Sequence, residues 1–260
     1  MKKLVLAMLV ILTFAASSFA GQSFLTAPSV GEGNWAVLGM YGTDHKGVVA
    51  NADTMTTTAM DATGIGARGE YGMMKDLDLL VTYSMVSLPN IKGINDPTSD
   101  GSQTSGTKMG LGVKYSLGKQ TIPLIGADVD TAVAGGYESA NVGIKCTGIS
   151  GTLGITDTTM SIAYVVSKSM DNNLMPYGAV AYKMLTESYS KSTVDTYSGN
   201  ALAFNIGCMI GIAKGQAIAV EYNTENDSYG AVSKSFGPGG KDDATAINVS
   251  GISLGYVYVF

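Results

Sequence analysis

The feature that most constrains this chain is an alternation of apolar with small or polar residues, recurring along most of its length. In 77–85, Leu77, Leu79, Val81, Tyr83 and Met85 alternate with Asp78, Leu80, Thr82 and Ser84. In 108–117, Met109, Leu111, Val113, Tyr115 and Leu117 alternate with Lys108, Gly110, Gly112, Lys114 and Ser116. The pattern returns at 63–71, 128–138, 160–167, 179–184, 201–210 and 217–222. Side chains along a β-strand point to opposite faces in turn, so each segment predicts a strand with one apolar and one small or polar face. The apolar faces carry no Asp, Glu, Lys or Arg between their first and last members. A solvated face would welcome such residues, whereas on a lipid-facing barrel wall one charge costs about 2–4 kcal/mol at the midplane.

The connections sort by length. Short ones fall near 73–75, 118–120, 171–173 and 213–215, and long ones, rich in Thr, Ser, Asp, Asn and Gly, at 43–62, 87–106, 139–158, 187–199 and 223–243. A spanning barrel has short turns on one side and long loops on the other; a soluble sandwich has no reason to. With a first strand near 35–41 and a last at 246–260, the expectation is an all-β, closed, antiparallel up-and-down transmembrane barrel of about ten strands. Eight or twelve strands are the alternatives, twelve because Val142, Ile144 and Cys146 alternate with Gly143 and Lys145 and leave room for a further hairpin. Ala213-Lys214-Gly215 fits a three-residue hairpin loop with Gly in the left-handed position, keeping Met209 and Ala219 on one face. The stretch 121–126, with Pro123, reads as a longer turn or a strand start.

Residues 1–20 read as a signal peptide: Lys2 and Lys3, an apolar run over 4–16, then Ser18-Phe19-Ala20, with cleavage expected before Gly21. No later segment holds the roughly 18 continuous apolar residues of a spanning helix, and 21–260 reads as one domain without a linker. Only 14% of residues are charged, against about 25% in soluble domains. A net charge of −5 supplies no basic footprint for nucleic acid. Cys146 and Cys208 fall on non-neighbouring segments, which favours two unpaired thiols over a disulfide.

The last residues, Ser253-Leu254-Gly255-Tyr256-Val257-Tyr258-Val259-Phe260, resemble the terminal recognition strand of bacterial outer-membrane proteins: a polar residue, Gly, an aromatic and a terminal aromatic at matching spacing. Ser253, Gly255, Tyr258 and Phe260 carry the match. The resemblance, to the small-barrel group of outer-membrane proteins, implies a cell outer-membrane location. It also implies outer-membrane lipid, periplasmic chaperones and the barrel assembly machinery as partners. That group includes pores, adhesins and enzymes, so fold alone assigns no function.

If the apolar faces look outward, the inward charges are Arg68, Glu70, Asp78, Lys108, Lys114, Asp128, Asp130, Glu138, Lys183 and Glu221, with Lys114 expected to pair with Asp128 and Asp130. Ten strands spaced ~4.8 Å and tilted ~40° give a radius of ~10 Å, which such side chains nearly fill. One expectation is therefore a surface-exposed structural protein whose lumen is closed by mixed-sign ion pairs. Small inward residues such as Gly110, Gly112, Ala179, Ala181 and Gly207 support the other, a narrow passive pore. An adhesion or partner-binding role through the long loops, toward an extracellular ligand the sequence does not specify, is the alternative. His45, the single histidine, follows Asp44 in the first expected loop without a partner base or nucleophile, so no enzyme and no catalytic residue is expected. Asp96 and Asp100 are too few for a calcium cage, and Gly64-Ile65-Gly66 lies in an alternating strand rather than a phosphate loop. No metal or cofactor is expected, and Thr54 to Thr58 reads as a polar loop.

Overall fold

A computed structural model describes residues 25–49, 57–91, 104–122, 127–145, 152–189, 197–229 and 245–260. Ten strands follow one another: β1 (Trp35–Val49), β2 (Thr57–Met74), β3 (Leu77–Ile91), β4 (Thr104–Ile122), β5 (Ala127–Lys145), β6 (Thr152–Ser167), β7 (Leu174–Tyr189), β8 (Tyr197–Ala213), β9 (Gln216–Tyr229) and β10 (Thr245–Val259). Each pairs with its chain neighbours, and β1 closes onto β10 in antiparallel register, Ala36 opposite Val259 and Leu38 opposite Val257. The expected closed up-and-down barrel of ten strands is what the chain forms. Closure leaves no edge, so every strand finds backbone partners on both sides, the condition a sheet must meet in hydrocarbon.

The strands run from 14 to 19 residues, beyond the roughly 9–11 that cross a bilayer. Their outer ends occupy much of what the alternation suggested were loops. β1 continues to Val49 and β2 starts at Thr57, still paired, and β9 runs to Tyr229 opposite Thr245. The apolar pattern marks only the apolar zone, whereas ladder hydrogen bonds come from the backbone and persist under Thr, Asn and Ser. The same effect removes the extra hairpin once conceivable at 139–158. Val142 belongs to a longer β5, whose Lys145 stands opposite Thr152 of β6.

At the opposite end the chain turns tightly at 75–76, 171–173 and 214–215. Gly215 takes the left-handed conformation (φ 71°), and Met209 faces Ala219 across the hairpin as expected. The turn expected at 118–120 is instead a bulge. Register slips between Ser116 and Gly118, Gly118 has φ 75°, and β4 continues to Ile122. A left-handed glycine admits one extra residue without ending the pairing. Because β3 pairs with β4 only as far as Tyr115 and β6 with β5 only as far as Asp130, the β4–β5 hairpin projects past its neighbours.

The two faces of the wall invert the usual arrangement. Leu111 and Ile162 are 58% exposed and Ile206 65%, while Asp78 and Glu221 are fully buried and Lys114 is 1% exposed. So extensive an exposed apolar surface is a liability in water; against lipid tails it is the expected exterior. Aromatic rings mark the short-turn rim at the β10–β1–β2 seam. Trp35 packs on Tyr71 at 4.5 Å, Tyr258 meets Phe260 edge-on at 4.6 Å, and the Phe260 amide donates to the Trp35 carbonyl. Such rings are favoured where hydrocarbon meets headgroups.

Candidate functional site: the barrel lumen

Alternation along each strand delivers the lumen lining. On β1 the inward residues are Ala36, Leu38, Met40, Gly42 and Asp44, which settles the sides of a strand whose sequence lacks a clear polar face. Near the short-turn end, β2, β3 and β4 contribute Glu70, Asp78 and Lys114. The Lys114 ammonium donates to Glu70, lies 3.2 Å from the Asp78 carboxylate, and donates at 2.9 Å to the Pro28 carbonyl. Toward the long-loop end Lys108 pairs with Glu138 at 2.5 Å across β4–β5, and Lys183 of β7 pairs with Glu225 of β9. The Asn205 amide donates to Glu221 at 2.9 Å, and that of Asn223 to Asp44 at 3.4 Å. A buried charge needs such partners, since an isolated one is strongly unfavourable in low dielectric.

Arg68 is buried and points inward from β2. Asp130 is half-buried opposite Ser167, while Asp128 is exposed on the projecting hairpin and accepts from Thr121 at 2.6 Å. The expected pairing of Lys114 with Asp128 and Asp130 is thus replaced by Glu70 and Asp78. The bulge and the extra hairpin length carry Asp128 beyond the rim, an offset that face parity alone cannot detect. In the terminal strand Ser253 and Gly255 face inward, Ser253 opposite Glu221, while Tyr258 and Phe260 lie outside.

Three lumen features were not anticipated. Leu38, Met40, Tyr177 and Ala219 form an apolar cluster inside the barrel, with Met209 and Val257 packed against it. The Tyr177 ring lies over Gly207, its partner on β8, so closely that a Cβ there would overlap it. Asp44 and Glu225 join the inward acids because β1 and β9 extend further than their apolar residues show. Continuing the parity two residues past Gly42 and four past Glu221 would have found both. Finally, residues 25–31 enter the barrel rather than trailing outside it, while Glu32, Gly33 and Asn34 stand exposed at its mouth. Ala27 is fully buried against Ala132, Val165 and Ala179, with Leu25 beside it. No periodicity announces such a segment.

Above Leu25 a cavity of about 100 Å³ remains, walled by Gly112, Ala134 and Ala163 and flanked by Arg68 and Lys183. It is large enough for a few waters. Among the described residues no three His, Cys, Asp or Glu side chains stand together as a metal site. His45 lies on β1 rather than in a loop, and Gly64-Ile65-Gly66 lies within β2. Cys208 is an unbridged thiol; Cys146, Asp96, Asp100 and residues 54–56 fall outside the described residues, as does the segment 1–20.

No family model matches the chain, and no curated protein does. Solved structures resemble it loosely. The outer membrane protease OmpT from Escherichia coli shares 12% identity at a TM-score of 0.44, covering 87% of this chain and 96% of that one. The translocator domain of the autotransporter NalP from Neisseria meningitidis shares 11% at 0.44, covering 86% and 88%. The outer membrane protein OprG from Pseudomonas aeruginosa shares 11% at 0.36, covering 89% and 99%. Likeness at this level supplies no activity for this chain.

Proposed function

We propose that this chain is an exported bacterial outer-membrane barrel, cleaved before Gly21, that provides a narrow passive passage for small solutes or ions and is closed in the state described. The observation that carries the reading is the hydrated-size cavity at mid-lumen, flanked by Arg68 and Lys183 and walled by glycine and alanine. A barrel needed only as a scaffold gains by filling such a space with packed side chains. The apolar exterior and the aromatic rim support the membrane location. Inward acids (Asp44, Glu70, Asp78, Asp130, Glu138, Asp157, Glu221, Glu225) outnumber inward bases (Arg68, Lys108, Lys114, Lys183) among the described residues. A weak preference for cations is therefore expected.

Planar-bilayer recording of the refolded mature chain under a salt gradient tests the reading. Cation-leaning reversal potentials support it. The pairing of the interior charges favours a second reading, a closed structural barrel that displays its outer loops to an extracellular partner. Absence of any single-channel steps, even after residues 25–32 are displaced, selects that one. N-terminal sequencing of the membrane-fractionated protein checks the cleavage site, and recovery as a soluble periplasmic monomer would sink both readings.

A further inference from the structure

We infer that residues 25–32 are an internal plug, docked on one half of the lumen wall and separable from it, and that their displacement opens the passage. The inference rests on the passage reading above and names its gate.

The segment crosses the short-turn mouth from strand to strand. Its Ala27 amide donates to Ser167 Oγ of β6 at 3.0 Å. The Pro28 carbonyl accepts from Lys114 of β4 at 2.9 Å, and Ser29 Oγ donates to Asp78 of β3 at 2.6 Å. Ala27 sits on the inward faces of β5, β6 and β7 through Ala132, Val165 and Ala179. The route ends on β2, where the Gly33 amide donates to the Gly72 carbonyl at 2.8 Å. Gly72 faces inward, and a Cβ there would run into the Gly31 carbonyl, so this wall position admits the segment only as glycine. The wall is built to receive it by shape at Gly72, Ala132 and Ala179, and by charge at Asp78 and Lys114.

Two observations make the segment a separable part rather than a strut. All ten strands pair with both neighbours around the closed ring, so barrel closure does not use residues 25–32. The apolar cluster of Leu38, Met40, Tyr177 and Ala219 occupies the β1, β7 and β9 side. The segment occupies the β2–β7 side and supplies Leu25 as a floor of the cavity. With it gone, the β2–β7 side presents Asp78, Lys114, Glu70 and Ser167 to water below the cavity. That is a polar lining from the short-turn mouth up to the cavity.

The test uses the full mature chain with Cys146→Ser and Cys208→Ser, refolded into lipid vesicles, and a water-soluble maleimide directed at Val165→Cys, a wall position beneath Ala27. Two plug variants are compared with the intact plug. In one, residues 25–32 are replaced by an equal length of Gly and Ser; in the other, Ala27→Asp places a carboxylate in the buried seat. Heat-modifiable gel mobility shows that each variant is folded. Labelling at position 165 is expected to accelerate at least tenfold in both, and single-channel openings to become at least tenfold more frequent. Faster labelling without conductance upholds the plug and overturns the passage. Unchanged labelling in folded variants overturns the plug, and if the intact protein then conducts freely the passage stands without it.

Discussion

Lys114 is the residue whose removal the structure makes most costly. Its side chain is 1% exposed, its ammonium serves Glu70, Asp78 and the Pro28 carbonyl at once, and the Asp78 side chain is itself fully buried. Lys114→Met keeps most of the apolar stem and deletes the charge. It leaves two carboxylates facing each other away from water, and breaking a buried pair from one side costs about 3–5 kcal/mol. At about 1.4 kcal/mol per decade, the folding equilibrium should fall by roughly 10²–10³·⁵. Urea unfolding in lipid vesicles can follow this through Trp35, the only tryptophan, which sits on the rim and leaves lipid contact on unfolding. The triple change Lys114→Met, Glu70→Gln, Asp78→Asn should recover most of the loss, because neutral replacement of a whole buried ionic cluster is often nearly neutral. If Lys114→Met unfolds at the wild-type urea concentration, the three charges do not interact as described. If the triple variant is as unstable as the single one, the loss lies in packing and the electrostatic account fails.

Phe260→Ala should lower the amount of inserted barrel and raise periplasmic degradation, since the ring and its Tyr258 contact lie outside the lumen at the closing seam; unchanged yield in fractionated membranes would count against the terminal-strand argument. Gly207→Ala should destabilise the barrel by about 1–3 kcal/mol, as overpacking does, because the new Cβ meets the Tyr177 ring. In a Tyr177→Ala background the same glycine change should cost less in the urea assay, the remaining close contact being the Val220 carbonyl. Asp128→Asn should leave ion selectivity unaltered, since Asp128 sits exposed on the projecting hairpin. Glu138→Gln, which removes an inward acid beside Lys108, should weaken cation preference. Reversal potentials under a salt gradient separate these two outcomes.

In the strands that carry a clear polar face, alternation by itself determined which residues face out and which face in. A period of two is a property of the extended backbone, and the hydrocarbon penalty on charge keeps the outward row legible in strands as different as 108–117 and 201–210. Alternating connection lengths supplied the order, and the glycine of Ala213-Lys214-Gly215 supplied a register, because a left-handed residue is specified locally. Local information ends where side chains stop mattering to the ladder. The strand ends at Val49, Lys145 and Tyr229 rest on backbone pairing to a neighbour, which polar sequence permits but does not announce.

Partner choice inside the lumen is decided only by the closed ring. Lys114 meets Glu70 and Asp78 because β2, β3 and β4 are laid side by side with a particular stagger. One bulge at Gly118 and a projecting hairpin move Asp128 out of reach. The placement of residues 25–31 is still further from the sequence. Nothing in Leu25, Ala27 or Ser29 marks them as interior, and they become so because the wall opposite offers alanine, glycine, a carboxylate and an ammonium at the right heights. A face is fixed by neighbours one and two residues away along the strand; a seat for a crossing segment is fixed by six strands at once.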